Sequence, residues 1–169
     1  MIRKNKIEEL FETYSGPDTQ DSDITDECLK EIKKIAEKDP IEFKNLIELF
    51  NKLEDEFEKL FLSDVLIDLG YDKVKDFLIK VTKEGEDLTD KIWAAGNLLK
   101  LEDVFAVTVL KDLVNKVDEN DLYWLLEVIG RANNLTSIKL ALELANKYKK
   151  LNKLIDKKYF EEKLAQYKK

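Results

Sequence analysis

The sequence predicts an all-α chain of stacked helix hairpins, and three observations predict it. Only five Gly and two Pro interrupt 169 residues, so few points break a helix. The β-branched residues fall at helical spacing and do not alternate. The chain also repeats itself at about 31–32 residues: with Lys91–Lys116 set beneath Leu122–Lys147, Trp93 falls on Trp124, Leu98 on Ile129, Lys100 on Arg131, Val109 on Leu140, Leu113 on Leu144 and Asn115 on Asn146. A fainter copy lies 32 residues upstream, with Phe61 on Trp93, Leu66 on Leu98, Leu69 on Leu101, Phe77 on Val109 and Leu78 on Leu110. All-helical repeats of this length stack as helix pairs and present a surface for gripping another macromolecule.

Each element has its own reason. Residues 3–14 place Ile7, Leu10, Phe11 and Tyr14 on one stripe. Ser15-Gly16-Pro17-Asp18 breaks that helix, and the polar stretch to Asp23 reads as a loop. Asp23 suits the N-cap of a helix near 24–38, whose apolar face is Leu29, Ile32, Ile35 and Ala36. Asp39-Pro40-Ile41-Glu42 is a helix start in which Asp39 caps, Pro40 takes the first helical position and Glu42 closes a capping box. The repeat register favours a break after Asn51, then a helix to Leu69 with Gly70 as terminator. Further helices follow at about 72–84, 88–101, 103–117, 120–132, 135–149 and 151–167. The one near 103–117 is apolar nearly all round, which predicts a place in the middle of the array.

Short connections imply antiparallel neighbours. Pairing gives hairpins at roughly 24–52, 55–84, 88–117 and 120–149. The expected fold is a short right-handed α-solenoid of about four antiparallel helix pairs with an extra helix at each end. One domain, 1–169, then comprises an N-terminal cap helix and acidic loop (1–23), helix pairs (24–149) and a basic C-terminal cap helix (150–169).

Composition narrows the function. Hydrophobic residues at 44% and charged residues at 38% suit a well-solvated globular chain. The single Cys28 cannot form an internal disulfide, and its acidic neighbours Asp26 and Glu27 oppose a thiolate, so a partly buried structural thiol is expected. No apolar run is long enough for a bilayer, and the N-terminus lacks the apolar core of a signal peptide. A cytoplasmic protein, monomeric when free and without a membrane partner, is expected. Net charge is −7 overall, but ten Lys against four acids from Lys139 onward leave that end at +6 and residues 1–138 at −13. Glu8 to Glu27 holds eight acids and no Lys or Arg. An acidic body repels nucleic acid and attracts basic proteins.

Chemistry is poorly provided for. The chain has no histidine, which removes Ser-His-Asp and Cys-His catalysis and His-ligated zinc. It has neither GxGxxG nor GxxxxGK[ST] to cradle phosphates. Glu54, Asp55, Glu56 and Glu58 cluster, as do Glu161 and Glu162, but successive helical carboxylates splay by about 100° and do not converge. No catalytic residue, metal ligand or cofactor is expected, and the chain reads as a non-enzyme.

Trp93 and Trp124 share one repeat position with Phe61, which marks inter-repeat core. On the second helices the register turns Asp76, Lys80, Thr108, Asp112, Lys139 and Glu143 outward. Phe105 aligns with Lys73 and Thr136; it either joins the core or stands among those polar residues as a binding anchor. These seven residues form the expected partner-binding strip. Two further features, the acids Asp18, Asp21, Asp23, Asp26 and Glu27 and the basic Lys147, Lys149, Lys150, Lys157 and Lys158, read as solvated ends, with contact to a basic toxin or to RNA as the alternatives.

On these residues the chain resembles a HEAT-like α-solenoid over roughly residues 55–149. Its size, acidity and helical architecture also resemble the small helical immunity proteins that bacteria use against polymorphic toxins. That resemblance implies a protein-binding module that neutralises a basic toxin domain by occlusion. The alternatives are a structural adaptor subunit of a larger assembly and a nucleic-acid-binding helical repeat protein.

Overall fold

The computed structural model describes residues 5–14 and 22–167, and every regular element among them is helical. The expected break at Ser15–Asp18 and most of the acidic loop lie outside the described residues. Contacts divide the chain into two compact units, Met1–Val74 and Lys75–Lys169.

The first unit holds α1 (Lys6–Tyr14), α2 (Ser22–Lys38), α3 (Pro40–Lys52) and α4 (Glu56–Asp68), followed by a 3-10 turn at Asp72–Val74. Helix α2 packs on α1, α3 and α4, and α3 packs on α1 and α4. Ile7, Phe11, Cys28, Ile32, Leu46, Leu60 and Leu66 are buried between them. Each such side chain removed from water contributes about 1.5–3 kcal/mol. Helix α2 starts at Ser22, so Asp23 lies inside its first turn and not before it as a cap.

Asp39 both ends α2 and starts α3. Its N–H donates to Ile35 O (3.2 Å) and its carboxylate accepts from Ile41 N–H (2.9 Å). That arrangement explains why Glu42 closes no capping box: the N–H it would accept is already used, and it accepts instead from Asn45 Nδ2 at 3.2 Å. Asp55 caps α4 by accepting from Glu58 N–H (2.9 Å), so the break expected after Asn51 is present.

The second unit holds α5 (Lys75–Glu84), α6 (Leu88–Lys100), α7 (Val104–Leu113), α8 (Glu119–Ala132), α9 (Leu135–Lys147), a 3-10 turn at Leu151–Lys153 and α10 (Lys157–Gln166). Helix α6 packs on α5, α7 and α8; α9 packs on α7, α8 and α10. At the α6–α8 crossing the backbones approach so closely that a Cβ on Gly96 would sit 2.6 Å from Val128 Cβ. The helix expected over 151–167 is split. Leu151 and Ile155 are buried as anchors, and Asp156 caps a new start by accepting from Tyr159 N–H (3.1 Å).

Helix α7 is shorter and more one-sided than its composition suggests. It buries Ala106, Leu110 and Leu113, while Val104 is 77% exposed at its first position. Among the described residues no helix is long and apolar enough to cross a membrane.

The repeat recurs in the backbone as well as in the side chains. Asp55, Asp87 and Asp118 cap α4, α6 and α8, and Asp103 and Asn134 cap α7 and α9. A left-handed residue follows each of α4, α6 and α8: Gly70 (φ 82°), Glu102 (φ 56°) and Asn133 (φ 45°). After α6 this gives N–H bonds from Glu102 to Leu99 O and from Asp103 to Leu98 O, both 3.0 Å.

Candidate docking surface on the second helices

All seven residues of the expected strip lie in the second unit, on α5, α7 and α9. Asp76 and Lys80 are on α5, Phe105, Thr108 and Asp112 on α7, Lys139 and Glu143 on α9. Asp76, Lys80, Thr108, Asp112, Lys139 and Glu143 are all exposed; Phe105 is half-buried. Phe105 therefore takes neither extreme. Its N–H caps onto Asp103 Oδ1 (2.8 Å), and Lys83 Nζ stands 5.4 Å from its ring centroid.

Side chains tie these helices together. Lys75 Nζ pairs with Asp103 Oδ2 at 2.7 Å, linking α5 to the start of α7. Lys111 Nζ pairs with Glu143 Oε1 at 2.6 Å, and Asn115 Nδ2 donates to the Tyr148 hydroxyl at 3.3 Å, linking α7 to α9. The hydrogen bond from Lys75 leads in holding the Asp103 carboxyl below its ordinary pKa, helped by the Phe105 N–H and opposed by desolvation. Glu143 is thus engaged within the surface. Lys75, Lys83, Lys111 and Val104 belong to this region and were not singled out by register. Val104 stands directly after the cap Asp103, at the first position of α7.

Asn134 fixes the other end. Its Oδ1 accepts from Ser137 N–H (2.9 Å) while the Ser137 hydroxyl accepts from Asn134 N–H (3.0 Å), a reciprocal capping box. Its Nδ2 donates to Leu99 O at 2.7 Å, a carbonyl that also accepts the Glu102 N–H, and so ties the start of α9 to the end of α6.

Trp93 and Trp124 meet edge to face, 6.2 Å between centroids and 85° between planes, and both are half-buried. They stand at the α6–α8 crossing as expected, though less fully enclosed than core. The Arg131 guanidinium covers the Trp124 ring at 5.4 Å. Cys28 is 2% exposed, and burial pushes its thiol up to about 11; desolvation, not the acidic neighbours, keeps it protonated. In the Glu54–Glu58 cluster, Asp55 serves as a cap, and the Glu58 carboxyl is raised, first by burial and then by Asp55. Asp18 and Asp21 lie outside the described residues, and Glu27 is exposed. Lys147, Lys149, Lys150 and Lys158 are exposed and Lys157 is half-buried. Among the described residues no three His, Cys, Asp or Glu gather as a metal site.

The exposed side chains singled out on α5, α7 and α9 are thus polar, with the half-buried Phe105 among them and the ion pairs Lys75–Asp103 and Lys111–Glu143 joining the helices. This surface can form ion pairs and hydrogen bonds with a partner and offer Phe105 as an apolar contact. The chain matches no protein-family model, no curated protein and no solved structure.

Proposed function

We propose that this chain is a non-enzymatic protein-binding module that holds its partner on the α5–α7–α9 surface, and that it acts as an immunity protein covering a cognate toxin. The observation that carries the reading is the exposure of six register-matched polar side chains on three helices tied edge to edge by Lys75–Asp103 and Lys111–Glu143. A short right-handed α-solenoid of antiparallel pairs is the architecture this reading assumes. Support for it comes from α6 packing on α8, from α7 packing on α9, and from the shared period of caps and left-handed residues.

The mechanism is steric and electrostatic. The net charge of −7 speeds encounter with a basic partner, and ion pairs to both signs of charge on the strip, with the central aromatic contact, slow release. Co-expression with the product of the neighbouring gene tests it. Protection of cells and a stable 1:1 complex are expected, with Phe105→Ala weakening binding by roughly 10-fold. A neighbouring product that neither binds nor is neutralised removes the immunity reading. Binding that survives both Phe105→Ala and Asp112→Lys unchanged removes the surface.

A further inference from the structure

The basic end of the chain is concentrated at one connection. From Lys147 to Lys158 there are six Lys and one acid, Asp156. A hydrogen-bonded turn holds this segment between α9 and α10. Leu151 and Asn152 N–H donate to Tyr148 O at 3.0 and 3.1 Å, and Leu154 and Ile155 N–H donate to Leu151 O at 3.0 and 2.9 Å. Leu151 and Ile155 are buried beneath it. Lys147, Lys149, Lys150, Lys153 and Lys158 are exposed. Among the described residues only Lys158 of these five has a carboxylate partner, Glu162 at 4.0 Å. The Asp156 carboxylate is committed to capping α10, where it accepts from Tyr159 N–H at 3.1 Å.

Aromatic residues interleave with these cations. Tyr148 stands between Lys147 and Lys149, and Tyr159 follows Lys158. Their settings differ. Tyr148 is half-buried, its hydroxyl accepts from Asn115 Nδ2 at 3.3 Å, and Lys147 Nζ stands 5.4 Å from its ring centroid. It ties the turn to the end of α7, where Lys116 is exposed beside Asn115. Tyr159 is 47% exposed in the first turn of α10, with Phe160 at 5.2 Å and Lys163 Nζ at 5.0 Å from its ring. An exposed phenol ring beside exposed ammonium groups offers a stacking surface next to charges that suit phosphate.

We propose that this turn binds a single-stranded nucleic acid, with phosphates on Lys147, Lys149, Lys150 and Lys153 and one base stacked on Tyr159. Charge complementarity names an anionic occupant, and the exposed ring among the lysines favours one that carries bases over an acidic peptide. A single strand fits better than a duplex or an anionic membrane. Glu161 and Glu162 are exposed further along α10, where a stiff duplex or a flat lipid surface would meet them and a flexible strand that follows the turn would not. The net charge of −7 opposes approach, but it is screened beyond about 8 Å at physiological salt, so a short strand on the turn responds to the lysines around it. Every cation in the segment is Lys, a point charge without the forked geometry of Arg, so binding is tolerant of sequence and weak, about 100 µM at physiological salt. This activity goes beyond the protein-binding reading and does not depend on it.

Fluorescence anisotropy of the full chain with a labelled oligouridylate of about eight nucleotides tests this. Binding at low salt is expected, weakening about 50-fold between about 50 and 200 mM salt as about four phosphates are neutralised. The triple variant Lys149→Glu, Lys150→Glu, Lys153→Glu is expected to weaken binding by more than about 100-fold with its helical circular dichroism unchanged, because all three sites are exposed. Tyr159→Ala is expected to weaken it by about 10-fold, and Tyr159→Phe to keep it. No binding at about 20 mM salt overturns the proposal, as does binding indifferent to the triple reversal or to Tyr159→Ala. Equal affinity for a polyglutamate peptide, or for vesicles of anionic phospholipid, overturns it too, since the turn would then hold anions without regard to bases. These substitutions lie outside α5, α7 and α9, so partner binding there is read separately.

Discussion

Glu102 occupies a left-handed conformation that its equivalent Gly70 adopts without a side-chain penalty. Its side chain is exposed, so nothing in the packing repays the strain. Glu102→Gly is expected to raise stability by about 1 kcal/mol, read as an upward shift in Tm. Asp103, next along, titrates. Its carboxyl pKa is lowered in the folded chain, chiefly by Lys75, so the unfolded chain binds the proton more tightly. The stabilisation from Lys75–Asp103 is complete above the unfolded carboxyl pKa, near 4, and is lost as pH falls through the folded value. Asp103→Asn keeps a cap but loses the ion pair. Denaturant melts at stepped pH are expected to show the wild type more stable at neutral pH, with the gap closing in acid. A constant gap contradicts the assignment. Cys28 gives a simpler readout: with its thiol at about 11 and buried, it is expected to react with a thiol reagent at pH 8 only on unfolding.

Among the elements, α6 and α8 each contain a glycine, and the same substitution has opposite signs in them. Gly96→Ala drives a Cβ into Val128 at 2.6 Å and is expected to cost about 1–3 kcal/mol. Gly130→Ala meets nothing and is expected to stabilise the chain by about 0.5–1 kcal/mol. Thermal melts of the two variants separate these outcomes. Much of this level was legible in the sequence because period and punctuation are local. Asp39-Pro40, the break before Asp55 and Gly70 each announced an element boundary. Glu42 was misread because its target N–H was taken by the preceding helix, Ile35, which a four-residue motif does not reveal. The split before α10 was missed because Leu151, Leu154 and Ile155 keep helical spacing, while Asp156 is worth more as a cap than as an interior residue.

For the molecule as a whole, the register located the exposed strip but not its cross-links. Lys75–Asp103 and Lys111–Glu143 join residues 28 and 32 positions apart. Such pairs depend on how neighbouring helices are rotated about their axes, which periodicity does not state. Phe105 was undecided for the same reason: Lys83, which stands 5.4 Å from its ring centroid, comes from another helix. Division of the chain at Val74 and Lys75 was likewise absent from the repeat, whose upstream copy it cuts: Phe61, Leu66 and Leu69 fall in the first unit, Phe77 and Leu78 in the second. It gives a last expectation. Residues 75–169 contain α5 to α10 with their own buried set, including Leu78, Ile92, Leu98, Leu110, Leu125 and Leu144, and both ends of the ion pairs that tie α5, α7 and α9. A unit with its own core folds by itself. The fragment 75–169 is expected to show helical circular dichroism and a single cooperative melt, and to retain partner binding through Asp76, Phe105 and Asp112. A helical fragment that melts without a cooperative transition would mean that the core of α5 to α10 is insufficient alone.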